Sequence, residues 1–161
     1  MKNTTLVFLY KPDEEMLLLA MKKRGFGQRR WNGVGGKLNE GESIREAAVR
    51  ETEEEISVKI RADDLTQVAI LDFFFEQKAE WNQQVHVFFV TKWEGEPVES
   101  EEMKPQWFAN AGIPFTEMWS DDVIWLPEVL KGSGVRASFT FGENDMVTKH
   151  HMKSVGKASL Q

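Results

Sequence analysis

The stretch from Gly36 to Val58 reads GKLNEGESIREAAVRETEEEISV, and it determines how the rest of the chain is interpreted. Ser43 and Glu46 have the spacing of a capping box, in which each side chain satisfies the other residue's backbone amide at the start of a helix. Helix-forming residues follow without glycine or proline. We therefore predict an α-helix over residues 44–56.

Three glutamates lie on the face of this helix that should be apolar. At about 100° per residue, one arc of the helix holds Ile44, Ala47 and Ala48 and also Glu51, Glu54 and Glu55. Carboxylates about 5 Å apart repel by roughly 3 kcal/mol per pair at an effective dielectric of about 20. A divalent cation with oxygen ligands, such as Mg²⁺, would offset this repulsion. The alternative is a solvated, charge-rich helix end, although acids there oppose the helix dipole.

A glycine-rich segment precedes the helix. Residues 25–41 contain six glycines, and the run from Gly33 to Lys37 reads GVGGK. Such a segment predicts a structured loop, in which backbone amides of Gly35 and Gly36 can approach a phosphate and Lys37 can supply a counter-charge. Together with the acidic helix, the loop indicates a site for a metal and a phosphorylated ligand.

The stretch from Gly36 resembles the Nudix box, G-x5-E-x7-R-E-U-x-E-E-x-G-U, where U is a bulky aliphatic residue. The matching positions are Gly36, Glu42, Arg50, Glu51, Glu54, Glu55 and Val58, and the two departures are Thr52 at a U position and Ser57 at the second glycine. Both departures affect packing and helix termination. A serine in a left-handed helix cap costs roughly 1 kcal/mol.

Further segments, among them MKKRGFG from Met21 and RWNG from Arg30, are similar to the MutT-homologue branch of that family over roughly residues 5–150. The resemblance implies Mg²⁺-dependent hydrolysis of oxidised purine nucleoside triphosphates, such as 8-oxo-dGTP and 2-hydroxy-dATP, to the monophosphate and pyrophosphate. This activity sanitises the nucleotide pool. Mn²⁺ is the expected substitute for Mg²⁺.

The resemblance also implies roles for individual residues. The metal ligands are the Gly36 carbonyl, Glu51, Glu54, Glu55 and, from an acidic loop over residues 94–102, Glu102. Glu54 or Glu55 lies nearest the attacking water, and Arg50 orients a carboxylate.

For the base, the resemblance implies that Asp121 and Asp122 meet the purine edge and share a proton. Asn32 lies opposite them; Phe26, Phe73 and Trp119 pack on the base, and Thr5 and Lys22 lie at the rim. The alternative for the acid pair is a helix N-terminus with favourable charges. The alternative for Phe73 is plain core packing.

The remaining patterns predict an α/β protein with the Nudix fold, an α/β/α sandwich around a mixed β-sheet. Residues 68–75 and 85–90 are apolar at almost every position, as expected of strands covered on both faces. Residues 6–10 and 16–20 indicate a first hairpin, and residues 135–141 and 146–150 a last one. A helix capped by Asp121 or Asp122 should run to about Lys131. We expect one domain over residues 1–152 and a frayed polar tail over residues 153–161.

Composition limits the partners. The chain has 161 residues, a formal net charge of −6 and no cysteine, so thiolate chemistry is excluded and a nucleic-acid polymer is disfavoured. No apolar run is long enough for a membrane span or a signal sequence, which favours a location in the cytoplasm, or in nuclear or mitochondrial pools if the source is eukaryotic. We also expect the protein to be a monomer. Two alternatives stay open: a Nudix hydrolase of another nucleoside diphosphate derivative, and a non-catalytic nucleotide-binding module.

Overall fold

The computed structural model describes residues 1–161, with eight strands and two α-helices. The elements are β1 Lys2–Lys11, β2 Met16–Lys22, β3 Trp31–Asn32, α1 Ile44–Ile56, β4 Leu65–Phe75, β5 Gln83–Val90, β6 Met103–Ala109, α2 Asp122–Leu130, β7 Gly134–Phe141 and β8 Val147–Val155. The strands are hydrogen-bonded in the order β3-β2-β1-β5-β4-β7-β8, and β6 pairs with β2. The pairs β1–β5 and β4–β7 are parallel and the others antiparallel, which confirms the predicted mixed sheet.

Two separate apolar cores lie on the two sides of the strands. Because side chains alternate along a strand, β1 sends Phe8 to one core and Val7 and Leu9 to the other. Helix α2 packs on the first core through Trp125, and α1 packs on the second through Ala48 and other residues. This arrangement confirms the α/β/α sandwich.

Strand β1 separates from β2 soon after their connecting turn. The two strands pair only at Tyr10 with Leu17 and Lys11 with Met16. The predicted first hairpin is therefore right in its strands and wrong in its extent, because β1 pairs along most of its length with β5. The glycine-rich segment occupies the edge that β2 leaves, through bridges of Val34 with Val7 and Lys37 with Thr4.

Helix α1 begins and ends where the sequence predicts. The capping box is present, with Ser43 Oγ accepting from the Glu46 amide and Glu46 Oε1 accepting from the Ser43 amide. The helix ends at Ser57, whose φ of 61° is left-handed, as expected for a residue in the glycine position of the box. Thr52 is fully buried, and its hydroxyl donates to the Ala48 carbonyl, so the polar departure in the box is satisfied locally.

Helix α2 differs from its prediction at the N-terminus. It runs from Asp122 to Leu130 through Pro127, and Asp121 is the N-cap residue. The position of the N-cap at Asp121 is as predicted, but the Asp121 side chain makes no capping hydrogen bond. Its carboxylate instead accepts a hydrogen bond from Trp125 Nε1 through Oδ2, and Oδ1 has no partner.

The predicted frayed tail is also wrong. Strand β8 continues to Val155, and a 3-10 turn over Lys157–Leu160 follows it. Leu160 is buried, and the side chain of the last residue, Gln161, accepts a hydrogen bond from Arg45. The C-terminal residues are thus part of the folded domain, held by the burial of Leu160 and by the Arg45–Gln161 hydrogen bond. None of the helices has the length and apolar character needed to span a membrane.

Candidate active site

A cavity of about 950 Å³ lies between the glycine-rich loop, helix α1, the end of β4, the acidic loop and the start of α2. All the predicted substrate-binding residues line it: Thr5, Lys22, Phe26, Asn32, Gly35, Gly36, Lys37, Phe73, Trp119, Asp121 and Asp122. The predicted acidic ligands Glu51, Glu54, Glu55 and Glu102 line it too. Of the predicted site residues, only Arg50 lies outside the cavity wall.

The three glutamates of α1 have different environments. The Glu51 side chain is 17% exposed and that of Glu54 is 58% exposed. Glu55 is half-buried and accepts a hydrogen bond from the Gly35 amide at 2.9 Å. Burial, with the neighbouring Glu51 carboxylate, raises the pKa of Glu55 to about 8, although the Gly35 amide opposes the rise. Glu55 thus keeps a proton near neutral pH in the free protein.

Arg50 positions the carboxylates from behind the cavity. Its Nη1 donates to Glu51 Oε1 at 3.0 Å and to Glu54 Oε2 at 3.1 Å. Its Nε and Nη2 donate to both oxygens of Glu42, at 2.7 and 2.9 Å, and Nη2 also donates to the Lys37 carbonyl at 3.1 Å. The bonds from Arg50 lower the pKa of Glu42 to about 2. Arg50 is therefore a positioning residue, and Glu42, a match of the motif, is its anchor.

The amides of the glycine-rich loop are already used within the protein. Gly35 N–H donates to Glu55, Val34 N–H donates to the Val7 carbonyl at 3.0 Å, and Gly36 N–H donates to Thr5 Oγ1 at 3.4 Å. In the free protein these donors hold the loop on β1 and orient Glu55. The predicted approach of the Gly35 and Gly36 amides to a phosphate stays a prediction.

The glycines are required by close approach. A Cβ atom on Gly35 would lie 1.9 Å from the Thr5 carbonyl oxygen, and a Cβ atom on Gly36 would lie 2.7 Å from Glu51 Oε1. At Gly35 the clash would be with backbone, so only glycine lets the loop lie this close to β1. The Glu51 carboxylate fills the space beside Gly36, whose carbonyl accepts from the Thr5 amide at 2.9 Å.

The acid pair lies at the other end of the cavity. Asp121 and Asp122 are each 2% exposed. Trp125 Nε1 donates to Asp121 Oδ2 at 2.7 Å, whereas Asp121 Oδ1 and Asp122 Oδ2 have no hydrogen-bond partner. Burial raises the pKa of Asp121 to about 6, and burial and the Asp121 charge raise the pKa of Asp122 well above its usual range. The pair therefore offers a ligand both a proton donor and an acceptor.

Aromatic rings form the wall beside the acid pair. Phe26 lies 5.3 Å from Trp119 between ring centroids. Phe73 combines its two predicted roles, since it lines the cavity and packs edge-to-face on Phe141 at 5.2 Å. Two further rings, Phe75 and Trp81, line the cavity and were not predicted. Trp81 lies in the connection between two strands, where no motif marks it.

The donor set fits a hard divalent cation. Carboxylate and carbonyl oxygens are the preferred ligands of such ions, and the crowded Glu51 and Glu55 carboxylates are stabilised by positive charge. Glu102 forms an exposed ion pair with Arg24 at 3.2 Å. No three acidic or histidine side chains converge on one point in the protein alone. The ligands that would hold the ion are therefore near one another but not assembled.

Comparisons with known proteins agree with this geometry. The family model described as the NUDIX domain matches residues 2–129. The chain is 42% identical over 154 residues to the oxidized purine nucleoside triphosphate hydrolase of Danio rerio, with 96% of each chain covered. It is 41% identical over 151 residues to the protein of the same name from Mus musculus, with 94% of each covered. Among solved structures, a MutT protein from Bacillus halodurans superposes with a TM-score of 0.80 at 23% identity, covering 95% of this chain and 98% of that one, which shows the fold.

Proposed function

The chain belongs to the NUDIX family, and from that premise we propose that it hydrolyses oxidised purine nucleoside triphosphates to the monophosphate and pyrophosphate. Its substrates are 8-oxo-dGTP, 2-hydroxy-dATP and related modified purines. One observation carries the proposal: a buried acid pair with unpartnered oxygens shares a cavity with the carboxylates of α1. The first group reads a base, and the second acts at phosphates.

The acid pair recognises the purine edge through a movable proton. An ionised carboxylate accepts from purine N–H groups, and a protonated neighbour donates to a carbonyl oxygen. Because the raised pKa values of Asp121 and Asp122 favour one shared proton, either acid can be the donor. Moving the proton matches the pair to an oxidised guanine or to a 2-hydroxyadenine. Asn32 and the rings of Phe26, Phe73 and Trp119 complete the base site.

The phosphate end uses a divalent cation. NUDIX hydrolases generally act with such an ion, and for this chain we propose Mg²⁺, with Mn²⁺ as substitute. The residues that would hold it are Glu51, Glu54, Glu55, Glu102 and the Gly36 carbonyl. When bound, the ion neutralises phosphate oxygens and acidifies a water for in-line attack.

The residues around the cation supply order and protons. Arg50 keeps Glu51 and Glu54 in place through its two hydrogen bonds. Glu54 and Glu55 are the two candidates for the proton acceptor nearest the attacking water. Lys22 and Lys37 line the same cavity and offset phosphate charge. Thr5 lines the cavity, and its hydroxyl accepts from the Gly36 amide. The protein acts on its small substrate as a monomer.

A panel of nucleotides tests the proposal. With Mg²⁺, we expect pyrophosphate release from 8-oxo-dGTP and 2-hydroxy-dATP to exceed release from dGTP, dATP and O6-methyl-dGTP. Glu54→Gln should lower kcat by at least about 100-fold. Glu53→Gln is the matched control, because Glu53 is exposed on the same helix and lines no part of the cavity.

Each contrary result identifies an alternative. Binding without hydrolysis of any nucleotide indicates a non-catalytic module. Hydrolysis confined to other nucleoside diphosphate derivatives indicates a hydrolase with the same chemistry and a different substrate. Full turnover by Glu54→Gln contradicts its assignment to the metal site.

A further inference from the structure

Trp81 joins the end of the sheet to the aromatic wall of the cavity. It ends a 3-10 turn over Ala79–Trp81, between β4 and β5. Its ring lies edge-to-face with Phe26 at a centroid distance of 4.5 Å and with Phe75 at 5.7 Å. Both distances are within the range of favourable aromatic pairs. Phe75 belongs to β4, so Trp81 connects Phe26 to the rigid sheet.

Phe26 depends on neighbouring rings for its position. It lies between Gly25 and Gly27, whose φ angles are 85° and 81°, and its side chain is 44% exposed. Flanking glycines leave a backbone with wide conformational freedom. Trp81 is the nearest ring to Phe26, Trp119 follows at 5.3 Å, and Phe75 is more distant at 6.4 Å. Without Trp81, Phe26 loses its shortest aromatic contact.

The turn that carries Trp81 is itself held in place. The Asn82 side chain accepts from the Phe75 amide at 2.7 Å, and Gln83 Nε2 donates to the Trp81 carbonyl at 3.1 Å. Lys78 Nζ lies 4.3 Å from the centroid of the indole ring, a cation–π contact. Trp81 is thus fixed from the backbone side and from one face of its ring.

We propose that Trp81 is a positioning residue that holds Phe26 ready to stack on the purine. This inference rests on the proposed function, and it assigns to the β4–β5 connection a part in base binding. Trp81 acts at the base end of the cavity, whereas the carboxylates of α1 lie at the phosphate end. Its loss therefore weakens binding of the base and leaves the chemical step and the binding of base-free phosphates unchanged.

The test compares Trp81→Ala, Trp81→Phe and the control Trp93→Ala. Trp93 is a half-buried indole that stacks on Trp107 and does not line the cavity. For Trp81→Ala we expect KM for 8-oxo-dGTP and Ki for 8-oxo-dGMP to rise about fivefold. We expect kcat and Ki for inorganic pyrophosphate to stay within about twofold of the wild type. Trp81→Phe, which keeps an edge-to-face ring, should recover most of the loss, and Trp93→Ala should show none of it.

The outcomes separate this inference from the proposed function. If the wild type hydrolyses 8-oxo-dGTP but Trp81→Ala changes KM by less than about twofold, the proposed role of Trp81 is overturned and the proposed function stands. A parallel rise in Ki for pyrophosphate, or an equal effect of Trp93→Ala, also overturns it, because the change is then a general loss of structure. A wild type that hydrolyses no purine triphosphate overturns both. If Trp81→Ala melts below the assay temperature, Trp81→Phe is used instead. A KM of Trp81→Phe for 8-oxo-dGTP above about twice the wild-type value then overturns the inference.

Discussion

Replacing Asp121 by asparagine should stabilise the free protein at pH 8 much more than at pH 4. Both acids of the pair are 2% exposed, and folding raises their pKa values. Such a carboxyl stabilises the fold fully below its unfolded pKa, and this contribution is lost as the pH rises through the folded value. For Asp121 the pKa rises from 3.8 to about 6. That rise removes about 3 kcal/mol from the free energy of unfolding by pH 8.

The asparagine amide cannot ionise, so the substitution removes the cost of burying a charge at this position. It also removes the Asp121 charge, which raises the pKa of Asp122. We expect a gain at pH 8 of about 3 kcal/mol, or about 6 to 12 °C in Tm for a chain of this size. At pH 4 the gain should be within about 2 °C, because the folded pair is protonated in the wild type and the remaining acid is protonated in the variant.

Thermal melting in EDTA at pH 4 and pH 8 measures the effect. Glu55, whose pKa is raised to about 8, titrates in both proteins and cancels in the comparison. Asp63→Asn is the control, since Asp63 is exposed and should shift Tm little at either pH. An equal change in Tm at the two pH values for Asp121→Asn would refute the reasoning, because Asp121 would then carry no raised pKa in the fold.

Three further substitutions test other parts of the structure. Arg50→Lys keeps the charge but loses the fork that binds three glutamates, and kcat/KM for 8-oxo-dGTP should fall about 10- to 100-fold. Gly35→Ala places Cβ against the Thr5 carbonyl and should lower stability by about 3 kcal/mol or more in urea unfolding. Gly112→Ala, which meets no atom within 4 Å, is its control. Leu160→Ala should cost about 2 kcal/mol in the same assay, and an unchanged midpoint would mean that the C-terminal turn is not packed.

Local patterns predicted the catalytic half of the molecule. The capping box and the helical period place Glu51 and Glu55 on the inward face, because both signals act within a few residues. The same period misjudges Glu54, whose side chain is 58% exposed and is held at the surface by Arg50. The helical period gives the direction of each side chain from the helix axis, but it does not include the hydrogen bond from Arg50 to Glu54.

Features that depend on distant parts of the chain were not predictable from local patterns. The partners of the Gly35 and Gly36 amides come from α1 and β1, and they exist because β1 leaves β2 early. Strand β8 is mostly polar, and its apolar residues Val147, Met152 and Val155 are not evenly spaced, so no alternation marks residues 153–155 as a strand. Leu160 is a single buried apolar residue, which is too little signal to predict a docked C-terminus.

The division into two cores has a consequence for how such an enzyme diversifies. The helix with the phosphate-end carboxylates rests on one core, and the helix that starts with the acid pair rests on the other. Substitutions that repack the α2 side can reshape what the protein recognises while the hydrolytic apparatus keeps its support. The choice of nucleobase can therefore change separately from the packing that supports the α1 carboxylates.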